Sequence, residues 1–209
     1  MTWAMSLAVA ASYLVGSIPT GYLVVKQLTQ TDVRATGSGS IGATNVTRAA
    51  GKGAGRLVFI ADVLKGVLAV LVVAPTLVHP VTPTVQLLCG MSAVLGHDFP
   101  VFLKFRGGKG VATTIGVLVG TMPLVAAVSL AVWLISFLIW RYVSLGSLAA
   151  ALAIPLAQLM TGQPPASTRL GTLLALLIIV RHYANIRRLL EGRESRVGRH
   201  PVERPREGD

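Results

Sequence analysis

Apolar residues in this chain come in long runs separated by short polar connections. They follow neither the strict alternation of a half-buried strand nor the narrow striping of a helix lying on a soluble core. Runs of spanning length, or near it, cover 4–25, 57–78, 81–103, 111–122, 123–140, 145–160 and 170–185. A spanning helix needs roughly 20 apolar residues at about 1.5 Å each to cross about 30 Å of hydrocarbon. The expected fold class is therefore an all-α integral membrane protein with seven transmembrane helices. The fourth run is too short to cross a full hydrocarbon core and is expected to start deeper, inside a re-entrant turn. Five crossings with two hydrophobic hairpins are the alternative.

Basic residues orient such a bundle. Lys26, Arg34, Arg48, Lys52 and Arg56 lie between the first two runs, and Lys104, Arg106 and Lys109 between the third and fourth. Arg141 follows the fifth run and an Arg-rich tail from Arg187 follows the seventh, while the connections near His79, Thr121 and Gly162 carry almost no Lys or Arg, Arg169 being the exception. Cytoplasmic connections hold the excess of Lys and Arg. Seven crossings with the amino terminus outside and the carboxyl terminus cytoplasmic satisfy that rule. The first run has no positive stretch before it and Lys26 after it, which reads as a retained helix and not a cleaved leader. Residues 1–190 are expected to form a single polytopic membrane domain. The basic tail, 191–209, mixes Arg and Glu with Pro and Gly, and is expected to be disordered and to touch anionic headgroups on the cytoplasmic side.

Composition agrees with the pattern: of 209 residues, 53% are apolar and only 13% charged, which excludes an ordinary soluble domain. A net charge of +11 would suit nucleic acid, anionic lipid or an anionic substrate. The cations sit between apolar runs and form no exposed stripe interleaved with aromatics, so nucleic acid is not an expected partner, whereas membrane lipids are. Cys89, the one cysteine, has no partner for a disulfide or a metal site and reads as a small packing residue.

Two polar connections carry candidate chemistry. The first, 37–55, reads GSGSIGATNVTRAAGKGAG. Its glycines allow positive φ and present N–H groups to an anion, and Arg48 can fork onto phosphate oxygens. A mere linker has no need of Asn45 and Arg48 amid its glycines. Gly37, Gly39 and Gly42 spell GxGxxG, but a membrane helix precedes them where a dinucleotide fold needs a strand, and neither Gly51-Lys52 nor Gly108-Lys109 has the first glycine of a Walker A loop. The second connection, 96–114, reads GHDFPVFLKFRGGKGVATT. Lys109, following Gly107 and Gly108 where a helix opens, joins a point charge to N–H groups and a positive dipole end. Lys104 and Arg106, flanked by Phe102 and Phe105, read as topology and headgroup cations. For His97 an interfacial role and a chemical one stand level. Asp62 and Lys65, one turn apart, are expected to form a structural ion pair. Ser144 and Ser147 either cap a helix or bond a substrate. His182 and Asn185, at i and i+3 on one helix face beside Arg181, Arg187 and Arg188, read as a site lining or an interfacial belt.

In this order and spacing, GSIPTGY at 16–22, GSGSIGATNVTR at 37–48, DVLKG at 62–66, GHDFPVFLKFRGGKGVAT at 96–113, SLGS at 144–147 and HYANIRR at 182–188 resemble the bacterial acyl-phosphate-dependent glycerol-3-phosphate acyltransferase family. The resemblance implies a multi-pass enzyme of the bacterial plasma membrane with its active site facing the cytoplasm. Such an enzyme transfers a long-chain acyl group from acyl phosphate to the primary hydroxyl of glycerol 3-phosphate, releasing inorganic phosphate and making lysophosphatidic acid for phospholipid biosynthesis. No acyl-CoA, carrier protein, metal or cofactor is implied. Residue type and family position together make Ser38, Arg48, Lys109 and His182 the catalytic candidates. They make Gly37, Gly39, Thr44, Asn45, Lys104, Gly107, Gly108, Ser144, Ser147 and Asn185 the substrate-binding ones. Ser40 stands where the family has Asn.

Two phosphorylated substrates repel each other, so opposite charge from Arg48 and Lys109 and donors from Ser38, Ser147 and glycine N–H groups are what the chemistry needs. Acyl phosphate is already an activated anhydride, so direct attack by the glycerol hydroxyl is expected, its proton passing to a substrate phosphate oxygen or to His182. No Ser-His-Asp set or His-x4-Asp motif is visible. The rival reading is a transporter of a phosphorylated solute, since glycine-broken cationic segments also build anion pathways; a non-catalytic lipid-binding scaffold is a third.

Overall fold

The computed structural model describes residues 2–198, and every regular element within them is a helix. In chain order these are α1 (Trp3–Ser17), α2 (Thr20–Thr29), α3 (Ala43–Leu68), α4 (Ala74–Leu77), α5 (Pro83–Asp98), α6 (Val111–Thr121), α7 (Pro123–Trp140), α8 (Val143–Met160), α9 (Pro165–Arg181) and α10 (Tyr183–Leu190). Short 3-10 turns cover Val33–Ala35 and Val101–Leu103.

Each apolar run is helical, with breaks where backbone chemistry forces them. The first run, expected as one helix, is two: Pro19 has no N–H to donate and disfavours helical geometry at Ile18, so α1 ends and α2 restarts. The second helix starts well before its apolar stretch, inside the first glycine segment, and breaks at Gly51, where φ 86° and ψ 173° suit glycine alone. Pro75 cannot donate to the Leu71 carbonyl, and the ladder widens into a π turn over Ala69–Val73. The fourth run is the 11-residue α6, separated from α7 by Met122 and Pro123. The seventh run also differs from expectation: α9 stops at Arg181, so His182 and Asn185 do not share one helix face but straddle the junction with α10.

Polarity is inverted relative to a water-soluble fold. Five segments are long and apolar enough to cross a bilayer: Trp3–Thr29, Ala43–Leu77, Pro83–Leu103, Pro123–Trp140 and Val143–Met160. Their outward faces carry Leu57, Ile60, Leu64, Ile135, Leu138 and Leu156, while Asp62, Lys65, His97, Asp98 and Gln158 are buried. In a bilayer the exposed apolar surface carries no penalty, and charged or polar groups are tolerated only inside, where they meet one another.

Small residues let the helices touch. A Cβ on Gly16 would stand 2.0 Å from the Ala93 carbonyl oxygen, and one on Gly96 2.2 Å from that of Tyr13, so α1 and α5 meet backbone to backbone. Gly66 and Gly116 do the same for α3 and α6, at 2.2 Å from the Thr113 and 2.0 Å from the Val63 carbonyl oxygens. This proximity assembles a buried polar cluster. Lys65 Nζ donates to Asp62 Oδ1 at 2.7 Å and to the Ile18 carbonyl at 2.6 Å, and Thr20 Oγ1 donates to the same carboxylate oxygen at 2.7 Å. His97 Nδ1 lies 3.6 Å from that oxygen. The expected Asp62–Lys65 pair is thus made, and the break at Pro19 supplies the extra carbonyl that completes it.

Candidate active site

Four polar segments meet at one end of the bundle: the loop before α3, the loop between α5 and α6, the turn into α8, and the α9–α10 junction with the residues after it. In the first, Gly37 and Gly39 take φ of 54° and 69°. Asn45, buried at the start of α3, holds the loop from inside: Nδ2 donates to the carbonyls of Val33, Thr36 and Ser40 at 2.9, 3.1 and 2.8 Å, and Oδ1 accepts the Ser38 N–H at 2.9 Å. With its hydrogen-bonding capacity engaged, Asn45 is a scaffold of the loop and not an open ligand. Ser40 Oγ accepts the Gly42 N–H at 3.2 Å. A Cβ on Gly37 would crowd Asn45 Oδ1 at 2.3 Å with Arg48 Cδ at 3.6 Å, so Gly37 lies beside both. The Arg48 side chain is exposed and makes no hydrogen bond among the described residues; Thr44 is exposed as well.

In the second loop the glycines serve close packing. Gly107 sits on the His97 and Asp98 carbonyls, where a Cβ would come within 2.2 and 2.8 Å, and a Cβ on Gly108 would stand 1.9 Å from the His97 ring. The Gly108 N–H, expected as an anion donor, is donated to the His97 carbonyl at 3.0 Å, and the Gly108 carbonyl accepts from Arg181. Lys109 alone of this loop reaches across the site, its Nζ donating to Asn185 Oδ1 at 2.5 Å. Lys104 points elsewhere: it is exposed with Phe102 and Phe105 on the outer surface, and no hydrogen bond of the Lys109 cluster involves it. Its exposure beside Phe102, Phe105 and Arg106 is that of an interfacial cation.

At the α9–α10 junction His182 is buried, and its Nδ1 faces the Ile178 carbonyl at 2.8 Å. A ring nitrogen facing a carbonyl must donate, so in the neutral ring Nε2 is the open acceptor. Asn185 Nδ2 donates to Glu194 Oε1 at 2.7 Å, Ser144 Oγ to the same oxygen at 2.8 Å, and Arg188 Nε to Oε2 at 2.6 Å. Burial would raise the Glu194 carboxyl, but these three hydrogen bonds hold it below the usual range. Ser144 therefore neither caps α8 nor faces open space. Ser147 donates to the Val143 carbonyl at 2.9 Å and accepts from Trp133 Nε1 at 3.3 Å. It lines a narrow apolar slot with Val111, Leu118, Trp133, Ile154 and Ile178, between α6, α7, α8 and α9.

Electrostatically the site is cationic, with the Glu194 carboxylate among its arginines and the Asp98 carboxylate beneath Arg181. Burial above all, and then Arg188, Arg48 and Arg181, pull Lys109 down to about 8, against the opposing influence of Glu194. Glu194 and Arg181 were not among the residues expected from sequence. Glu194 lies in the tail, where composition hid it; residues 191–198 pack onto the α7–α8 turn through Val197 N–H to the Arg141 carbonyl at 2.9 Å and Arg196 Nε to the Trp140 carbonyl at 3.1 Å, while 199–209 lie outside the described residues. The signal available was a pair of acids, Glu191 and Glu194, among the arginines that follow HYANIRR.

The chain matches the glycerol-3-phosphate acyltransferase family model over residues 6–192. A glycerol-3-phosphate acyltransferase of Desulforudis audaxviator is 45% identical over 193 residues, covering 92% of this chain and 96% of that protein. One of Gloeobacter violaceus is 43% identical over 201 residues, covering 95% and 98%. The crystal structure of PlsY, an integral membrane glycerol 3-phosphate acyltransferase, in its glycerol 3-phosphate form superposes with a TM-score of 0.87 at 44% identity, over 93% of this chain and 96% of that one. Its lysophosphatidic acid form gives 0.84 at 43% identity. With the family model matched over most of its length, relatives above 40% identity at near-complete coverage and a shared fold, the chain belongs to the glycerol-3-phosphate acyltransferase family.

Proposed function

We propose that this enzyme transfers a long-chain acyl group from acyl phosphate to the primary hydroxyl of glycerol 3-phosphate, releasing inorganic phosphate and lysophosphatidic acid. The observation that carries the reading is the half-buried Lys109 ammonium, held by Asn185 among Arg48, Arg181 and Arg188, with Glu194 close by. Two phosphates need several fixed cations to share one site. The apolar lining that starts at Val111, two residues past Lys109, and at Ile178, one turn before His182, sets hydrophobic side chains next to the cationic end, the order of polarity an acyl phosphate has. The glycerol hydroxyl attacks the acyl carbonyl directly, phosphate leaves under the charge of Lys109 and Arg48, and the proton passes to a phosphate oxygen or to His182 Nε2. Ser38 orients a phosphate through its hydroxyl.

Seven crossings, with the amino terminus outside and the site facing the cytoplasm of a bacterial plasma membrane, fit this reading. The four basic segments that join at the site are the ones an alternating path returns to the same side, and α6 and α9 serve as the shorter crossings.

Purified enzyme in lipid, given palmitoyl phosphate with and without glycerol 3-phosphate and beside palmitoyl-CoA, is expected to release phosphate and form lysophosphatidic acid only when palmitoyl phosphate and glycerol 3-phosphate are both present. Turnover with palmitoyl-CoA would refute the donor, and an acylated Ser38 trapped with palmitoyl phosphate alone would refute direct attack. The titration of Lys109 gives a second check. Its charged form is the active one, so kcat/KM for glycerol 3-phosphate should fall as pH rises through about 8, by about tenfold per unit beyond it. Lys109→Arg should move that limb out of range, because a guanidinium stays charged. A parent profile flat to high pH would remove the ammonium from this role.

A further inference from the structure

Arg181 is absent from the set of groups expected to meet substrate, yet it makes more polar contacts to the Lys109 loop than any other side chain described. Its Nε and Nη2 donate to the Gly108 carbonyl at 3.1 and 2.6 Å, and Nη2 also donates to the Asp98 carbonyl at 3.3 Å. Its Nε lies 3.8 Å from the fully buried Asp98 carboxylate, and its guanidinium carbon stands 4.8 Å above the Phe99 ring. The guanidinium is therefore directed at the end of α5 and the loop backbone, not at open space. Gly108 is held at both its polar groups, its N–H by the His97 carbonyl and its carbonyl by Arg181. Lys109 is the next residue, and its tip is taken by Asn185, one turn past Arg181.

We infer that Arg181 is a positioning residue for the acyltransferase reaction: it clamps the Gly107–Gly110 loop to the end of α5 so that Lys109 stands at a fixed height over the substrate phosphate. The α9–α10 junction thus grips the loop twice, by backbone through Arg181 and by side chain through Asn185. Two carbonyls on different segments must be reached by one rigid, planar donor set, which a guanidinium provides and a single ammonium does not. The inference rests on the reading of Lys109 as a phosphate ligand.

Arg181→Lys and Arg181→Met should each lower kcat/KM for glycerol 3-phosphate by about 100-fold, the scale of a misplacement of about 1 Å in a positioned group. Arg181→Lys keeps the charge and most of the packing on Phe99, and is the variant that decides the matter should Arg181→Met not fold. A double-mutant cycle separates positioning from mere scaffolding. In a Lys109→Met background, read by turnover or by calorimetric binding of glycerol 3-phosphate, adding Arg181→Lys should cost less than about threefold, because the group it positions is already gone. Full activity of Arg181→Lys, or losses that multiply in the double variant, would overturn the inference. If Lys109→Met itself binds and turns over like the parent, the underlying reading of the site falls instead.

Discussion

Lys109→Ala is expected to lower kcat/KM for glycerol 3-phosphate by about a thousandfold while leaving the protein folded. Removing a half-buried charged donor from a phosphate costs about 2–5 kcal/mol, and every 1.36 kcal/mol is about tenfold in rate. Stability should not suffer, since burial already pulls this ammonium down to about 8 and its neighbours include three arginines. Below that pH the charged Lys109 is a cost to the empty fold; between about 8 and its ordinary value the unfolded chain holds the proton that the folded chain releases, so Lys109's contribution to stability rises with pH while activity falls. Steady-state kinetics with both substrates varied, beside thermal unfolding in detergent, tests the two halves together. A variant that loses activity only because it no longer folds would show Lys109 to be structural.

The second large effect is expected far from the phosphate site. Lys65→Met should destabilise the bundle by about 3–5 kcal/mol, because it leaves the Asp62 carboxylate uncompensated where the two side chains are only 5% and 2% exposed. Replacing both, Asp62→Leu with Lys65→Met, should recover more than half of that loss, since no charge is then stranded; the Ile18 carbonyl and Thr20 hydroxyl still lose their partner. Unfolding in mixed micelles by rising detergent denaturant reads both. A single variant as stable as the parent would mean that the pair carries no weight.

The apolar runs and their cationic punctuation make most of the fold legible from sequence, because hydrocarbon imposes one rule on every crossing segment. Breaks within helices are less legible. Pro123 coincides with a boundary between runs and reveals itself, whereas Pro19 sits inside a run whose apolar character continues on both sides. The site's members are readable as residue types, but their directions are not. Asn45 and Ser38 are seven apart and bond within one loop, which letters alone leave undistinguished from two ligands facing a substrate. Lys104 and Lys109 carry the same charge five residues apart, and only the turn between them sends one outward and the other into the bundle. Arg181 and Gly108 are 73 positions apart, so no local spacing foretells their contact. Glu194 was masked by the polar composition around it.

That carboxylate also gives the enzyme an order in time. Chains are made from the amino end, so the residue that receives hydrogen bonds from Ser144, Asn185 and Arg188 leaves the ribosome after every helix described here. Until it arrives, the inserted bundle holds its arginines and Lys109 without their counter-charge. The bilayer-embedded scaffold is thus laid down first, and the carboxylate that ties Ser144, Asn185 and Arg188 together arrives last, just ahead of Val197, which fastens the chain to the Arg141 carbonyl.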